Sequence, residues 1–182
     1  MKNKKIIAVL GLPGSGKSEV INYLIKKLNC LKVYFGDVTF DEMKIRGLKI
    51  NEKNEKITRE GLRKKFGQNY YAEQMIKKIN NINEPVILVE SLYSWNEYLL
   101  FKETYQGNFS TIAVYSSPKT RYSRLSKRKV RPLTPEEAQG RDYAQIINLT
   151  QANPIAMANY TVINEDTLET LYKQVDDLVD KI

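Results

Sequence analysis

The sequence predicts an α/β fold in three layers, with a five-stranded parallel sheet between two layers of helices. Three observations predict it. Five short runs, KIIAVL at 5–10, LKVYF at 31–35, PVILVE at 85–90, FSTIAVY at 109–115 and YTVI at 160–163, are dominated by apolar residues rather than alternating cleanly. Strands buried on both faces read this way. Segments of helical character lie between them, and strand–helix alternation is how parallel neighbours are connected.

Taken in order, the first strand runs straight into glycines. Residues 17–29 then place Val20, Ile21, Leu24, Ile25 and Leu28 at helical spacing. After the second strand, residues 37–82 are helical in character, polar and lysine-rich, with breaks near Gly47 and Gly67. Beyond the fourth strand, Ser117 and Pro118 read as an N-cap with Pro at the first helical position, opening a helix through about Arg128. Thr134-Pro135-Glu136-Glu137 repeats the signal with a capping box. A last helix is expected to open at Asp166, with Glu169 three residues on, burying Leu168, Leu171, Val175, Leu178 and Val179. The chain reads as one domain over 1–182, with a core at 1–36, 84–120 and 142–182, an insertion at about 37–83 and a smaller one at about 121–141. It contains no internal repeat, linker or low-complexity segment.

Composition narrows the chemistry. Hydrophobic residues make up 42% of the 182 and charged residues 27%, ordinary for a globular protein. No apolar run approaches the roughly 20 residues that span a bilayer. MKNKKIIAVLG starts like a signal peptide, but its short apolar stretch meets Gly-Leu-Pro-Gly rather than a cleavage site, so a cytoplasmic location is expected. Cys30 is the only cysteine, which excludes an intrachain disulfide and a CxxC metal site. The absence of histidine excludes Ser-His-Asp and Cys-His catalysis, HExxH zinc sites and any imidazole acid or base. Chemistry falls to carboxylates, lysine, arginine, hydroxyls and a metal held by oxygen. A net charge of +8 points to polyanionic partners, nucleotide or nucleic acid, although a lysine-rich composition alone also raises that number.

The stretch GLPGSGKS at 11–18 matches G-x-x-x-x-G-K-[ST] at each fixed position and lies between a strand and a helix. Its residues, Gly11, Leu12, Pro13, Gly14, Ser15, Gly16, Lys17 and Ser18, with Glu19 behind them, form the expected phosphate cradle. Successive backbone N–H groups curl round the phosphates and the helix N-terminus adds a favourable field. Lys17 is expected to reach the β- and γ-phosphates, and the Ser18 hydroxyl to hold Mg²⁺. A dinucleotide fingerprint fits less well, because Glu19 stands where its third small residue belongs. A guanine reader of the NKxD kind is missing after the later strands, where SSPKTR and NEDT stand instead.

Downstream, RYSRLSKRKVR at 121–131 carries six basic residues in eleven. Arg121, Arg124 and Arg128, spaced three and four apart, are predicted to share one helix face. Such a run alone reads as solvated surface. Behind the fourth strand of a phosphate-loop protein it reads as arginines over a triphosphate, where guanidinium stays charged, forks round phosphate oxygens and stacks on bases.

With GLPGSGKSE come GDV at 36–38, LVES at 88–91, SSPKTRYSRLSKR at 116–128, GRD at 140–142 and ANYTVINEDTLE at 158–169. In this order they resemble the nucleoside monophosphate kinase-like group of P-loop NTPases over nearly the whole chain. The resemblance is strongest to its adenylate-kinase-related small proteins, with dephospho-CoA kinases as more distant relatives. It implies ATP and Mg²⁺ as cofactors and residues 121–141 as a short lid. It implies that Asp37 faces the acceptor and the metal, and that Glu90 lies near Mg²⁺ or its waters. Arg124 would pack on the adenine, Arg128 would contact the phosphates, and Arg141 would close from the lid on the transferring group. TREGLRKKFG at 58–67 resembles an acceptor-binding helix, so Arg63, with Arg59 behind it, would hold an acceptor phosphate. Asp37 and Glu90 each also have a plainer, less favoured reading, as a strand-end helix cap or a solvated carboxylate.

The chain departs from the resemblance in the acceptor half. An arginine common after GDV is replaced by Thr39 and Phe40, and the usual Gly and Arg after LVE by Ser91 and Leu92. ANY at 158–160 also replaces the commoner ADY near the fifth strand. Tyr70, Tyr71, Tyr93, Trp95 and Tyr98 cluster there; ordinary core packing accounts for such a cluster, and Tyr93 and Trp95 are the candidates for stacking an acceptor base. The expected activity is ATP-dependent phosphoryl transfer to a small acceptor, a nucleoside or deoxynucleoside monophosphate first among them. The alternatives are a dephospho-CoA kinase-like enzyme and an ATP-binding module, or slow ATPase, that binds RNA through its basic stretch. Neither a membrane nor a nucleic acid is the expected partner, and monomer and homodimer both remain open.

Overall fold

The structure, a computed structural model, describes residues 4–130 and 132–182. Arg131, the last of the basic residues, lies outside them. The strands are Lys5–Leu10 (β1), Leu31–Tyr34 (β2), Val86–Glu90 (β3), Phe109–Tyr115 (β4) and Tyr160–Ile163 (β5). They form one parallel sheet in the order β2-β3-β1-β4-β5, as the fold class predicted. The helices are Lys17–Leu28 (α1), Gly36–Ile45 (α2), Glu52–Phe66 (α3), Tyr70–Asn80 (α4), Trp95–Tyr105 (α5), Pro118–Ser126 (α6), Pro135–Leu149 (α7), Ala152–Ala156 (α8) and Leu168–Val179 (α9). None among the described residues is long and apolar enough to cross a membrane.

Successive residues of each central strand feed opposite faces. Ile6, Ala8, Leu10, Val33, Phe35, Ile87 and Val89 form one buried core with Tyr71, Met75 and Ile79 of α4 and Tyr98 and Phe101 of α5. Ile7, Val9, Leu88, Ile112, Val114 and Val162 form the other, with Val20, Ile21 and Leu24 of α1 and Leu171 and Val175 of α9. The sheet is therefore covered on both sides, which explains why its strands lack clean alternation.

The strand order places the site. From β1 the chain builds β2 and β3 on one side, then crosses to β4 and β5 on the other. Ligands of open parallel sheets bind where that direction reverses, beyond the carboxyl ends of the strands. Here that crevice receives GLPGSGKS from β1, Glu90 from β3 and the segment after β4.

Local details differ from the sequence reading in four places. The helix predicted through Arg128 stops at Ser126, because Leu133 N donates to Leu125 O at 3.2 Å as the chain doubles back toward α7. Arg128 therefore lies beyond the helix rather than on its face. The last helix is capped by Thr167, which accepts from Thr170 N, and this leaves Asp166 in the preceding loop. α5 was not predicted, although Ser94 and Glu97 form a full capping box at its start. The five-residue α8 was not predicted either. The breaks near Gly47 and Gly67 are present, both glycines adopting left-handed backbone at φ 64° and 95°.

Candidate active site

β1 ends at Leu10, Gly11 follows it directly, and α1 begins at Lys17 with left-handed Gly16 at its N-cap. No side chain caps the helix, so its first amides remain available to an anion. Gly11 has φ 146°, and a Cβ there would lie 2.6 Å from both Ser15 Oγ and Val114 O. Only glycine fits that position.

Side chains from distant segments hold the loop carbonyls. Gly11 O accepts from Gln151 Nε2 at 3.0 Å and Pro13 O from Arg121 Nη1 at 3.2 Å. Ser15 O accepts from Ser116 Oγ at 3.2 Å and Asn164 Nδ2 at 2.8 Å. In a planar trans peptide the C=O and the following N–H point oppositely. Holding the carbonyls of Pro13 and Ser15 from outside thus turns the amides of Gly14 and Gly16 the other way. Arg121 is itself fixed by Asp142, whose two oxygens take its guanidinium nitrogens at 2.9 and 2.6 Å, and both residues are buried. Arg121 is accordingly a brace of the loop and does not share a ligand-facing surface with Arg124 and Arg128.

Cations converge in front of this loop. Lys17 Nζ donates to Gly11 O at 2.8 Å and Leu12 O at 3.1 Å. Its pKa is lowered to about 8, first by burial, then by Arg141 and Arg128, with Glu90 opposing and Arg121 adding a smaller depression. Among the described residues, neither Arg128 nor Arg141 forms an ion pair, and Lys17 has none either. Arg124 donates to Ser116 Oγ at 3.0 Å and Asn164 Oδ1 at 3.3 Å. It lines an open cleft of about 390 Å³ together with Ser18, Glu19, Arg128, Asp166 and Leu168. A larger cavity of about 670 Å³ lies around Lys4, Asn80, Thr104, Tyr105 and Asn108, at the opposite end of β1 from the loop. Converging charge, rather than volume, marks the functional end.

Among the described residues, no group of three or more His, Cys, Asp or Glu side chains could hold a metal alone. The residues do fit Mg²⁺ carried by nucleotide oxygens, which needs only one or two protein groups. Ser18 opens onto the cleft, and Glu90 is close enough to raise the pKa of Lys17.

The acceptor-side candidates form two groups. Tyr34 has a pKa raised by burial and by Tyr93, Glu90, Glu55 and Asp37, which brings both candidate carboxylates and Tyr93 round one phenol. Glu90 pairs with Lys32 at 2.6 Å, and Asp37 with Lys78 at 2.6 Å. In the second group, Arg63 donates to fully buried Glu97 at 3.0 Å and lies over Tyr71, 4.7 Å from its ring centroid. Arg59 is also within electrostatic reach of Tyr71, whose hydroxyl meets Thr39 Oγ1 at 2.7 Å. Trp95 stacks on Tyr98, and Tyr70 on Phe66, so these rings are committed to packing.

The structure thus brings Gly14, Gly16, Lys17, Ser18, Glu19, Arg124 and Arg128 together round one cleft, with Arg141 and Glu90 in electrostatic reach of Lys17, while Gly11, Leu12, Pro13 and Ser15 of the loop do not line it. Asp37, Tyr93 and Glu90 gather about Tyr34, while Arg59 and Arg63 gather about Tyr71. Sequence reasoning missed Gln151, Ser116, Asn164 and Asp142 as loop braces and Glu97 as the partner of Arg63. Of these, only Glu97 carried a local signal, its capping box with Ser94.

Comparison with known proteins places this geometry in a class. A family model described as an AAA domain matches residues 7–148. The chain is 31% identical over 182 residues to a UPF0200 protein of Thermococcus onnurineus, covering 97% of each chain. It is 33% identical over 189 residues to a UPF0200 protein of Sulfurisphaera tokodaii, covering 98% of this chain and 97% of that one. The chain belongs to the AAA-domain family and to the UPF0200 proteins. Its fold is that of the kinase-like P-loop proteins. It matches a gluconokinase of Sinorhizobium meliloti with TM-score 0.63 at 15% identity, covering 100% of this chain and 97% of that one. It matches a shikimate kinase of Bacteroides thetaiotaomicron with TM-score 0.63 at 15% identity, covering 97% and 98%.

Two outcomes follow from the loop and its electrostatics. Lys17 in the free protein loses its proton near pH 8, and polyphosphate favours the protonated form. ADP affinity should stay level at neutral pH and fall by up to about tenfold per pH unit above that point. Calorimetry in buffers of different ionisation enthalpy should show proton uptake on binding there, and Lys17→Met should abolish the uptake. Asp142→Ala strands buried Arg121 and is expected to cost about 3–5 kcal/mol in denaturant unfolding and to weaken ADP binding.

Proposed function

We propose that the chain is an ATP- and Mg²⁺-dependent phosphotransferase that moves the γ-phosphoryl group of ATP to a small acceptor. One observation carries this reading: Lys17, Arg128 and Arg141 converge, without ion-pair partners among the described residues, before a loop whose amides face away from its braced carbonyls. Three neighbouring cations repel one another, and a polyphosphate relieves that repulsion. Phosphoryl transfer asks for positioning and charge neutralisation rather than a covalent nucleophile, so the absence of histidine is no obstacle.

In this reading the loop residues Gly11–Ser18 and Glu19 bind the triphosphate, with Arg124 at the adenine. Lys17 spans the β- and γ-phosphates. Arg128 and Arg141 neutralise charge on the transferring group, Arg141 from a lid formed by residues 121–141. Ser18, with Glu90 or Asp37 through water, is the set that would hold Mg²⁺, which supplies further neutralisation of the phosphate oxygens. The insertion 37–83 receives the acceptor, Asp37 on its carboxylate side and Arg59 and Arg63 on its basic side, with Tyr93 beside them and Trp95 left to its packing on Tyr98. The family resemblance points to a nucleoside or deoxynucleoside monophosphate, while the side-chain pairing of this half points to an acceptor without phosphate. RNA binding gains little support, because Arg121 is buried against Asp142 and Arg124 is turned into the cleft.

Lys17→Ala should weaken ADP affinity by about tenfold or more, since charge-assisted hydrogen bonds contribute about 1.5–3 kcal/mol. Arg141→Ala should leave ADP affinity within a few-fold and lower acceptor-stimulated ADP release by about 10²-fold or more. A coupled ADP-release assay against nucleosides, their monophosphates, dephospho-CoA, sugars and sugar acids checks both. A gel shift with RNA alongside no acceptor-stimulated turnover would overturn the reading.

A further inference from the structure

The two halves of the site differ in how their charges are matched. On the donor side Lys17, Arg128 and Arg141 have no ion-pair partner among the described residues. On the acceptor side the ion-paired groups are already balanced within the protein. Arg63 is held by Glu97, which is fully buried and also accepts from the backbone N–H groups of Tyr93 and Ser94 at 3.2 and 2.9 Å. Lys32 is matched to Glu90 and Lys78 to Asp37. Only Arg59 in this neighbourhood lacks an ion pair among the described residues. Hydroxyl groups gather there too, from Tyr34, Thr39, Tyr71, Ser91 and Tyr93, with Thr39 bonded to Tyr71 and Ser91 to Tyr93 at 2.9 Å.

We infer that the acceptor is a hydroxyl compound without a phosphate group, such as a nucleoside or a polyol, rather than a nucleoside monophosphate; this rests on the phosphotransferase reading above. A phosphate dianion placed here would meet one unpaired guanidinium and two carboxylates, Glu90 and Asp37, and its desolvation would go largely uncompensated. A neutral hydroxyl needs one donor and one acceptor. Tyr34 and Tyr93, both only partly buried, carry hydroxyls that can donate as well as accept. Among the acceptors, Glu90 is the carboxylate within electrostatic reach of Lys17. In the transfer, the acceptor oxygen forms the new bond to the γ-phosphorus and the bond from that phosphorus to ADP breaks. The hydroxyl proton is released to solvent, which balances the transfer. Glu97 then acts as a specificity-determining positioning residue, because it cancels the charge on Arg63 that would otherwise recruit a phosphate.

The test is ADP release from Mg·ATP by the full chain with matched acceptor pairs that differ by one phosphate. Suitable pairs are adenosine and AMP, cytidine and CMP, guanosine and GMP, uridine and UMP, gluconate and 6-phosphogluconate, and shikimate and its 3-phosphate. In whichever pair is active, the unphosphorylated member should lead by about a hundredfold or more in kcat/KM. Preference for a phosphorylated member, or ATP binding and hydrolysis that no member stimulates, overturns the inference. Failure to bind Mg·ATP at all would instead sink the phosphotransferase reading itself. Glu97→Gln keeps the hydrogen bonds to the Tyr93 and Ser94 amides but frees the Arg63 charge. It should shift the preference within the active pair toward the phosphorylated member by about tenfold or more; an unchanged ratio would overturn the role given to Glu97. The wild-type pair comparison decides the acceptor class whether or not that variant folds.

Discussion

A loop can aim several amides at one point only if something holds the opposite ends of its peptide units. In GLPGSGKS that holding comes from outside the loop. Arg121 takes Pro13 O, Ser116 and Asn164 take Ser15 O, and Gln151 takes Gly11 O. These groups come from the end of β4, from α6, from the segment after β5 and from the turn before α8. The bidentate Arg121–Asp142 pair ties one of those segments, α6, to α7, on which Asp142 lies. Buried pairs of this kind are costly to desolvate and seldom add net stability, yet removing one partner is severely destabilising. The pair is therefore better understood as fixing geometry. It seats the phosphate loop and, through α7, sets the position of Arg141 one residue away.

With the loop fixed, the charge distribution follows a simple division. Near the loop, cations are left facing one another, and burial together with Arg141 and Arg128 brings Lys17 down to about 8. That arrangement is unfavourable for the protein alone and favourable once a polyanion is present. In the acceptor half, Glu97, Glu90 and Asp37 each take a cation. The Lys32–Glu90 and Lys78–Asp37 pairs are partly solvated and contribute little stability, but each leaves its carboxylate and its cation matched. Arg63–Glu97 differs, because Glu97 is wholly enclosed and also serves as the capping residue of α5. Its charge cannot be spared without disturbing the helix start.

The parts legible in the sequence were those encoded locally. Apolar strands, the phosphate loop, the Pro-led start of α6 and the capping box of α7 each depend on neighbours within a few residues, and they stand where expected. The braces were not legible, because Gln151 lies 140 residues from Gly11 and Asn164 lies 149 from Ser15, and no local pattern links such partners. Arg121 shows the limit of periodicity: its spacing placed it with Arg124 and Arg128, but Asp142 draws it into a buried pair while the other two line the cleft. α5 is a different kind of omission. Ser94 and Glu97 carried its start signal, but WNEYLLFKETY has little amphipathic periodicity because it buries Glu97, Tyr98, Phe101 and Tyr105 while Leu99 stays exposed.

The acceptor-half departures from the family pattern are also built into the packing. Leu92, where the resemblance implies an arginine, is 1% exposed and belongs to the core under α4 and α5. Thr39 is buried and its hydroxyl meets Tyr71. Ser91 stands where glycine is common and adopts φ 68°, a conformation that costs a side-chain-bearing residue about 1–3 kcal/mol. Its hydroxyl contact with Tyr93 helps offset that cost and fixes the phenol beside Tyr34. A site that had merely lost its acceptor would leave such residues loose and solvated. Here the positions where the resemblance implies arginines carry a buried leucine and hydroxyls that bond to one another, and Arg63 is paired with a fully buried carboxylate. These replacements together remove positive charge while keeping an ordered polar wall, which is what a change from a charged acceptor to an uncharged one requires.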